Sequence, residues 1–192
     1  MFLEKYKTNK SSLNSEGHRS GYSAFYSLMF SPLKEKKINF AEIGIEKNAS
    51  TKMWRNYFSK ANLYLFEFDK LKILNAKIDN LKKTYYNFID VSSSKIIKDS
   101  FKKTKIKFDI IIDDSTHDFN HQINIVKELK NFLKPNGLLV IEDIPKRIDE
   151  KKYEVALRNL IPGFKKVMFI ETFHSNNFTS NYFMTKLLFL IK

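Results

Sequence analysis

The sequence predicts an α/β chain: a doubly wound, mainly parallel seven-stranded sheet that ends in a C-terminal antiparallel hairpin. Three observations predict it. Five short runs of β-branched and aromatic residues alternate with segments of helical period, acidic residues recur where those runs end, and the last two strand-like runs follow one another with no helix between them. Such alternation requires parallel strands with crossover helices on both faces.

The first strand is "INFAEIGI" (38–45), a buried-strand pattern that stops near Gly44. In "STKMWRNYFSK" (50–60), Met53, Trp54, Tyr57 and Phe58 recur at helical spacing, with Ser50 or Thr51 as the expected cap. "NLYLFEF" (62–68) is the second strand and residues 71–82 the next helix. "YYNFID" (85–90) is the third strand, followed by a weaker helix over 93–102. "KFDIIID" (107–113) is the fourth. Phe119, Ile123, Val126 and Leu133 then mark one helical face, which "KPNG" (134–137) is expected to stop. "LLVIED" (138–143) is the fifth strand and "EKKYEVALRNLI" (150–161) the helix after it. "FKKVMFIETF" and "NYFMTKLLFLIK", joined by "HSNNFTS", form the hairpin. Residues 1–20, rich in Ser, Lys and Asn, are expected to be an N-terminal arm or lid, and 21–192 a single domain.

The composition is that of a folded chain: 192 residues, 43% hydrophobic, with only 5 glycines and 4 prolines. The formal net charge of +13 favours anionic partners. The excess is dispersed lysine, however, as in "KEKK" (34–37) and "KKTKIK" (102–107), and reads as a solvated face rather than a nucleic-acid site. There are no cysteines, which excludes disulfides and thiolate metal sites. "LLFLI" (187–191) is too short to span a bilayer. The expected setting is cytoplasmic, with no membrane partner.

In doubly wound sheets ligands bind beyond the carboxyl ends of the strands. Here those ends carry Glu42 and Gly44, Glu67 and Asp69, Asp90, Asp113 and Asp114, then Glu142 and Asp143. Gly44 lets a ligand approach the backbone. Glu67 stands where a carboxylate accepts from both hydroxyls of a ribose, and Asp90 where one accepts from an adenine amino group. "IEKNAS" lacks the further glycines of a pyrophosphate-binding fingerprint. Asp114 with Glu142 and Asp143 makes an all-oxygen set that suits Mg²⁺. His117, three residues after Asp114, is the natural proton acceptor. Two alternatives stand beside this. His117 and His121 form a zinc pair, which lacks a thiol or third histidine nearby in sequence; or Asp118 or Thr116 merely caps the next helix and His117 is solvated.

"FDIIIDDSTHDFNHQINIVKELKNFLKPNGLLVIEDI" (108–144) resembles the corresponding block of class I S-adenosylmethionine (SAM)-dependent methyltransferases of the metal-dependent macrolide and sugar O-methyltransferase type, a group overlapping sequences labelled cephalosporin hydroxylase-like. "EIGI" with "STKMWRNYFSKANLYLFEFD" extends the resemblance, which covers roughly residues 21–144. It implies a Rossmann-like class I domain with SAM as cofactor and Mg²⁺ or a similar divalent cation. The cofactor-binding residues would be Glu42, Gly44, Glu67, Asp90 and Asp113; Asp114, Glu142 and Asp143 would hold the metal; His117 would be the general base.

The implied activity is O-methylation of a hydroxyl on a sugar or other small metabolite, with a homo-oligomer as one expected assembly and the oligomeric state left open by the sequence. The alternatives are an RNA-modifying or RNA-binding protein of the same fold, or a degenerate non-catalytic member. The chain departs from the family at Ser115, Glu46, Lys47 and Asn48, where glycines are usual. It also departs in "SEGHRSGY", where Ser20, not His18, precedes Gly21.

Overall fold

The computed structural model describes Tyr6, Thr8, Lys10, Ser11 and residues 21–172 and 184–192, Thr185 through its backbone alone. The arm's His18 and Ser20 and the "HSNNFTS" connection lie outside the described residues.

A helix that the strand-by-strand reading did not include comes first: α1 (Tyr22–Phe30) follows Gly21, whose φ of 73° lies in the left-handed region. Then come β1 (Asn39–Ile43), α2 (Ala49–Tyr57), β2 (Asn62–Glu67), α3 (Lys70–Ile78), β3 (Thr84–Phe88) and α4 (Ser94–Lys103). The second half comprises β4 (Phe108–Asp113), α5 (Phe119–Leu129), β5 (Leu133–Pro145), α6 (Glu150–Leu157), β6 (Lys166–Glu171) and β7 (Met184–Ile191). The sheet has seven strands in the order β3-β2-β1-β4-β5-β7-β6. Its first five are parallel, and β7 runs antiparallel to both β5 and β6. The hairpin is therefore folded back, with β7 inserted and β6 at the edge.

Alternation along the strands feeds two cores. Ala41, Ile43 and Ile111 pack with Ile97, Phe101, Ile125 and Leu129 on the face of α4 to α6. Phe40, Ile110 and Ile112 pack with Tyr26, Phe30, Met53, Trp54 and Ile73 on the face of α1 to α3. Complete burial of such side chains stabilises by about 1.5–3 kcal/mol each, which holds the strand ends in fixed relation to one another.

Three local expectations are corrected. Neither Ser50 nor Thr51 caps α2. Asn48 takes the cap position with φ 63° and no side-chain cap bond, Ser50 is committed to Glu42, and the Thr51 hydroxyl is buried with no hydrogen-bond partner among the described residues. "KPNG" does not end a helix reaching Leu133. The helix stops at Leu129, a single 3₁₀ turn follows, and Leu133 already begins β5. β5 is also longer than the expected 138–143 and is irregular at its functional end: its pairing with β7 shifts between Ile141 and Ile144, and Asp143 has φ 54°. That bulge has a consequence. Adjacent strand residues normally point to opposite faces, whereas here both Glu142 and Asp143 join one buried cluster.

Candidate active site

The chain reverses direction of travel across the sheet between β1 and β4, which lie side by side in the sheet. At their carboxyl ends opens a cavity of about 1050 Å³. Gly44, Glu67, Asp69 and Asp90 line one part of it, and Asp114, Ser115, His117 and His121 another. Tyr6 and Thr8 of the N-terminal segment contribute to the wall.

Gly44 is required by geometry. Its φ is 92°, and a Cβ there would stand 2.0 Å from the carbonyl oxygen of Asp114. Glu67 faces the cavity with only 9% exposure; its Oε2 accepts from the Ile45 amide, and its Oε1 accepts from the Phe68 and Asp69 amides. These bonds orient the carboxylate and tie the β1 and β2 loops together. An ionised carboxylate has about four acceptor positions, so capacity for a ligand remains. Asp90 accepts from the Ser92 amide and hydroxyl, which hold its carboxyl below the usual range. Asp113 is buried beneath the cavity floor rather than lining it, and burial pushes its carboxyl up to about 6. Ser115, at a position where the resembled family has glycine, donates its hydroxyl to Asp113 Oδ1 at 2.6 Å. Of the other departures, Glu46 (φ 41°) and Asn48 (φ 63°) occupy the left-handed region that glycine adopts freely, so the loop keeps the backbone path without the residue.

Beside the cavity lies a cluster of four carboxylates. Glu42 is fully buried and does not line the cavity; Trp54 Nε1 donates to its Oε1 and Ser50 Oγ to its Oε2, both at 2.9 Å. Glu142 Oε1 accepts from Tyr26 and Asp143 Oδ1 from Tyr22, each at 2.6 Å. His117, itself at φ 58°, places Nε2 3.3 Å from Asp114 Oδ1 and 3.4 Å from Asp143 Oδ2. Burial alone would lower its pKa, but these two carboxylates outweigh burial and raise it to about 9. Lys10 Nζ, 1% exposed, lies 2.6 Å from both Asp114 Oδ2 and Glu142 Oε2 and 3.7 Å from Glu42 Oε1.

The cluster fits a hard divalent cation, though not quite through the expected three carboxylates. Asp114, His117 and Asp143 each present one ligand atom, all within 4.8 Å of one another. Glu142 is instead paired with Lys10 and Tyr26. Burial and the neighbouring acids, Asp114 and Asp143, hold the Glu142 carboxyl well above its usual range despite Lys10, the condition that added positive charge relieves. The zinc-pair alternative does not assemble: His121 Nδ1 lies 2.8 Å from Thr116 Oγ1, and His121 stays outside the group of candidate ligands. Asp118 does cap α5, accepting from the Asn120 and His121 amides, but His117 is half-buried between carboxylates rather than solvated.

Lys10, Tyr22, Tyr26 and Trp54 are the participants that sequence reasoning missed. Tyr22, Tyr26 and Phe30 do carry a helical signal in their spacing of four. Nothing in the isolated "TNK" marks Lys10, which meets its partner Glu142 from 132 residues away.

Comparison with solved structures places this architecture. MycE methyltransferase of the mycinamycin biosynthetic pathway, solved in complex with Mg, SAH and mycinamycin VI, superposes with a TM-score of 0.72 at 17% identity, over 98% of this chain and 52% of MycE. The chain has the class I methyltransferase fold. A second structure with this methyltransferase fold, a putative O-methyltransferase from Klebsiella pneumoniae, gives a TM-score of 0.65 at 13% identity over 99% of this chain and 89% of that one. In sequence, the chain is 26% identical over 131 residues to the 8-demethyl-8-alpha-L-rhamnosyl tetracenomycin-C 2'-O-methyltransferase of Streptomyces olivaceus, covering 64% of this chain and 33% of that enzyme. It thus spans about half of MycE and a third of the tetracenomycin enzyme. No family model matches the chain.

Proposed function

We propose that the chain is a SAM-dependent O-methyltransferase that acts on a hydroxyl of a sugar or other small metabolite, assisted by a divalent cation such as Mg²⁺, with His117 as general base. The observation that carries this reading is that one cavity joins Glu67 and Asp90, suited to a nucleoside, to the Asp114 and His117 pair, suited to proton removal.

In this reading Glu67 holds the ribose and Asp90 the adenine end, while Gly44 leaves the backbone open to the methionine portion. Glu42 and Asp113 act from beneath the site by positioning α2 and the Ser115 turn. The sulfonium supplies an electrophilic methyl group. The acceptor oxygen attacks it in line, the C–O bond forms as the C–S bond breaks, and His117 Nε2 takes the hydroxyl proton. A divalent cation on Asp114 and Asp143, with His117 Nε2 left uncoordinated, would supply a Lewis acid for that oxygen and offset the carboxylate field that keeps the imidazole protonated. Alignment and proton removal are sufficient chemistry for transfer to a hydroxyl.

The described lining sets Lys47 and Lys72 against Glu46, Glu67, Asp69, Asp90 and Asp114. That acidic balance favours a cationic sulfonium ligand and a neutral hydroxyl acceptor over a nucleic-acid backbone. Incubation with methyl-labelled SAM and a panel of glycosides and glycosylated macrolides tests the reading. Transfer to a hydroxyl, lost in His117→Gln with SAM binding retained, is the expected result. Transfer that survives His117→Gln overturns the assignment of the base.

A further inference from the structure

The Lys10 ammonium sits where a cation would be expected. Its Nζ bridges Asp114 Oδ2 and Glu142 Oε2 at 2.6 Å each, and Glu42 lies 3.7 Å away. Two of these three acids, Asp114 and Glu142, belong to the carboxylate set that the sequence assigns to a metal. The bridging ammonium therefore holds Asp114, which the compact group of Asp114, His117 and Asp143 also uses, and Glu142, which that group leaves out. The lysine does not come from the sheet. It is carried by an N-terminal segment whose Thr8, Lys10 and Ser11 are all buried and whose Tyr6 and Thr8 wall the cavity.

The segment is tied to the domain by the backbone of α1 as well, since the Ser23 amide donates to the Lys10 carbonyl at 3.0 Å. α1 in turn brings Tyr22 and Tyr26 to Asp143 and Glu142. One element thus inserts a positive charge and the next donates hydroxyls to the same acids. A divalent cation has no such tether; held by Asp114 and Asp143 it would share the Asp114 carboxylate with Lys10, and two cations on one carboxylate repel strongly where water is excluded.

We propose that Lys10 and a divalent cation are alternative occupants of the carboxylate cluster, so that Lys10 holds Asp114 and Glu142 in the cation-free state and leaves them when the cation binds. The inference rests on the proposed metal assistance, but not on methyl transfer. Lys10 is a positioning residue here: it holds Asp114 and Glu142 in place and sets how tightly the site takes metal.

Two measurements on the full chain test it. Mn²⁺ binding is followed by electron paramagnetic resonance in the wild type and in Lys10→Met. The variant is expected to bind at least about tenfold more tightly, because an adjacent unit charge has been removed. In the wild type, which needs no folded variant, tryptic cleavage after Lys10 is followed by mass spectrometry and is expected to accelerate as Mg²⁺ is titrated in. Unchanged or weaker Mn²⁺ affinity in Lys10→Met overturns the proposal, as does cleavage that Mg²⁺ leaves unaffected or slows. Absence of Mn²⁺ binding to both proteins also overturns it. SAM binding, measured separately, reports on the methyltransferase reading whichever way the metal experiments fall.

Discussion

His117 Nε2 stands 3.3 Å from Asp114 Oδ1, three residues earlier in the chain, and 3.4 Å from Asp143 Oδ2 on the neighbouring strand. The pair of carboxylates raises the imidazole pKa to about 9 against the opposing effect of burial. A group whose folded pKa exceeds its unfolded value contributes stability that is complete below the unfolded pKa, about 6.5, and is lost as pH rises through the folded one. In metal-free buffer, the unfolding free energy from urea titrations should therefore fall between pH 6.5 and 9, by about 2–3 kcal/mol in total. His117→Gln should flatten that part of the profile, and an equally steep loss in the variant would assign the effect elsewhere.

Asp114 and Asp143 share His117 and are the acids of the compact candidate metal group. Asp114→Asn and Asp143→Asn should each weaken Mn²⁺ binding by about tenfold or more. Glu67→Gln, on the far side of the cavity, should leave it unchanged. Calorimetric titration of the three variants checks the contrast.

Gly44 admits no side chain, because its φ is 92° and the Asp114 carbonyl occupies the space. Gly44→Ala should destabilise the fold by about 2–4 kcal/mol or prevent soluble expression, combining backbone strain with a clash against main chain. Denaturant unfolding measures it; a loss under about 0.5 kcal/mol would mean that the loop yields easily.

Glu46 and Lys47 differ in a way that their sequence neighbourhood hides. Glu46 has φ 41°, whereas Lys47 is absent from the positive-φ residues. Glu46→Gly should range from neutral to about 1 kcal/mol stabilising, because it relieves left-handed strain while loosening the unfolded chain. Lys47→Gly should destabilise by about 0.5–1 kcal/mol. The reverse order would show that the loop path is set by something other than these two dihedral angles.

The periodic parts of the molecule were legible in its sequence. Buried parallel strands such as "FDIIID" are continuous apolar runs, and the acids at their ends share one rim because parallel strands end on the same side. Glu67, Asp90, Asp114 and His117 were thus placed beside one cavity by topology alone. What escaped were features without period. Lys10 lies in a segment with no regular pattern, and its burial depends on acids more than 30 residues away in every case. The bulge at Glu142 and Asp143 arises from pairing with β7, a strand over 40 residues later, so "IED" by itself gives no sign that both acids turn to one cluster. Ser115 looked like an intrusion at a glycine position, yet its hydroxyl satisfies buried Asp113.

Isothermal calorimetry with S-adenosylhomocysteine and SAM decides whether the cavity along β1, β2 and β4 is a SAM site. Both ligands should bind saturably to the wild type and at least about tenfold more weakly to Glu67→Gln, where one charged acceptor for the ribose is lost while the Ile45, Phe68 and Asp69 amides keep an oxygen to bond. No binding by the folded wild type at millimolar ligand would contradict a SAM site there.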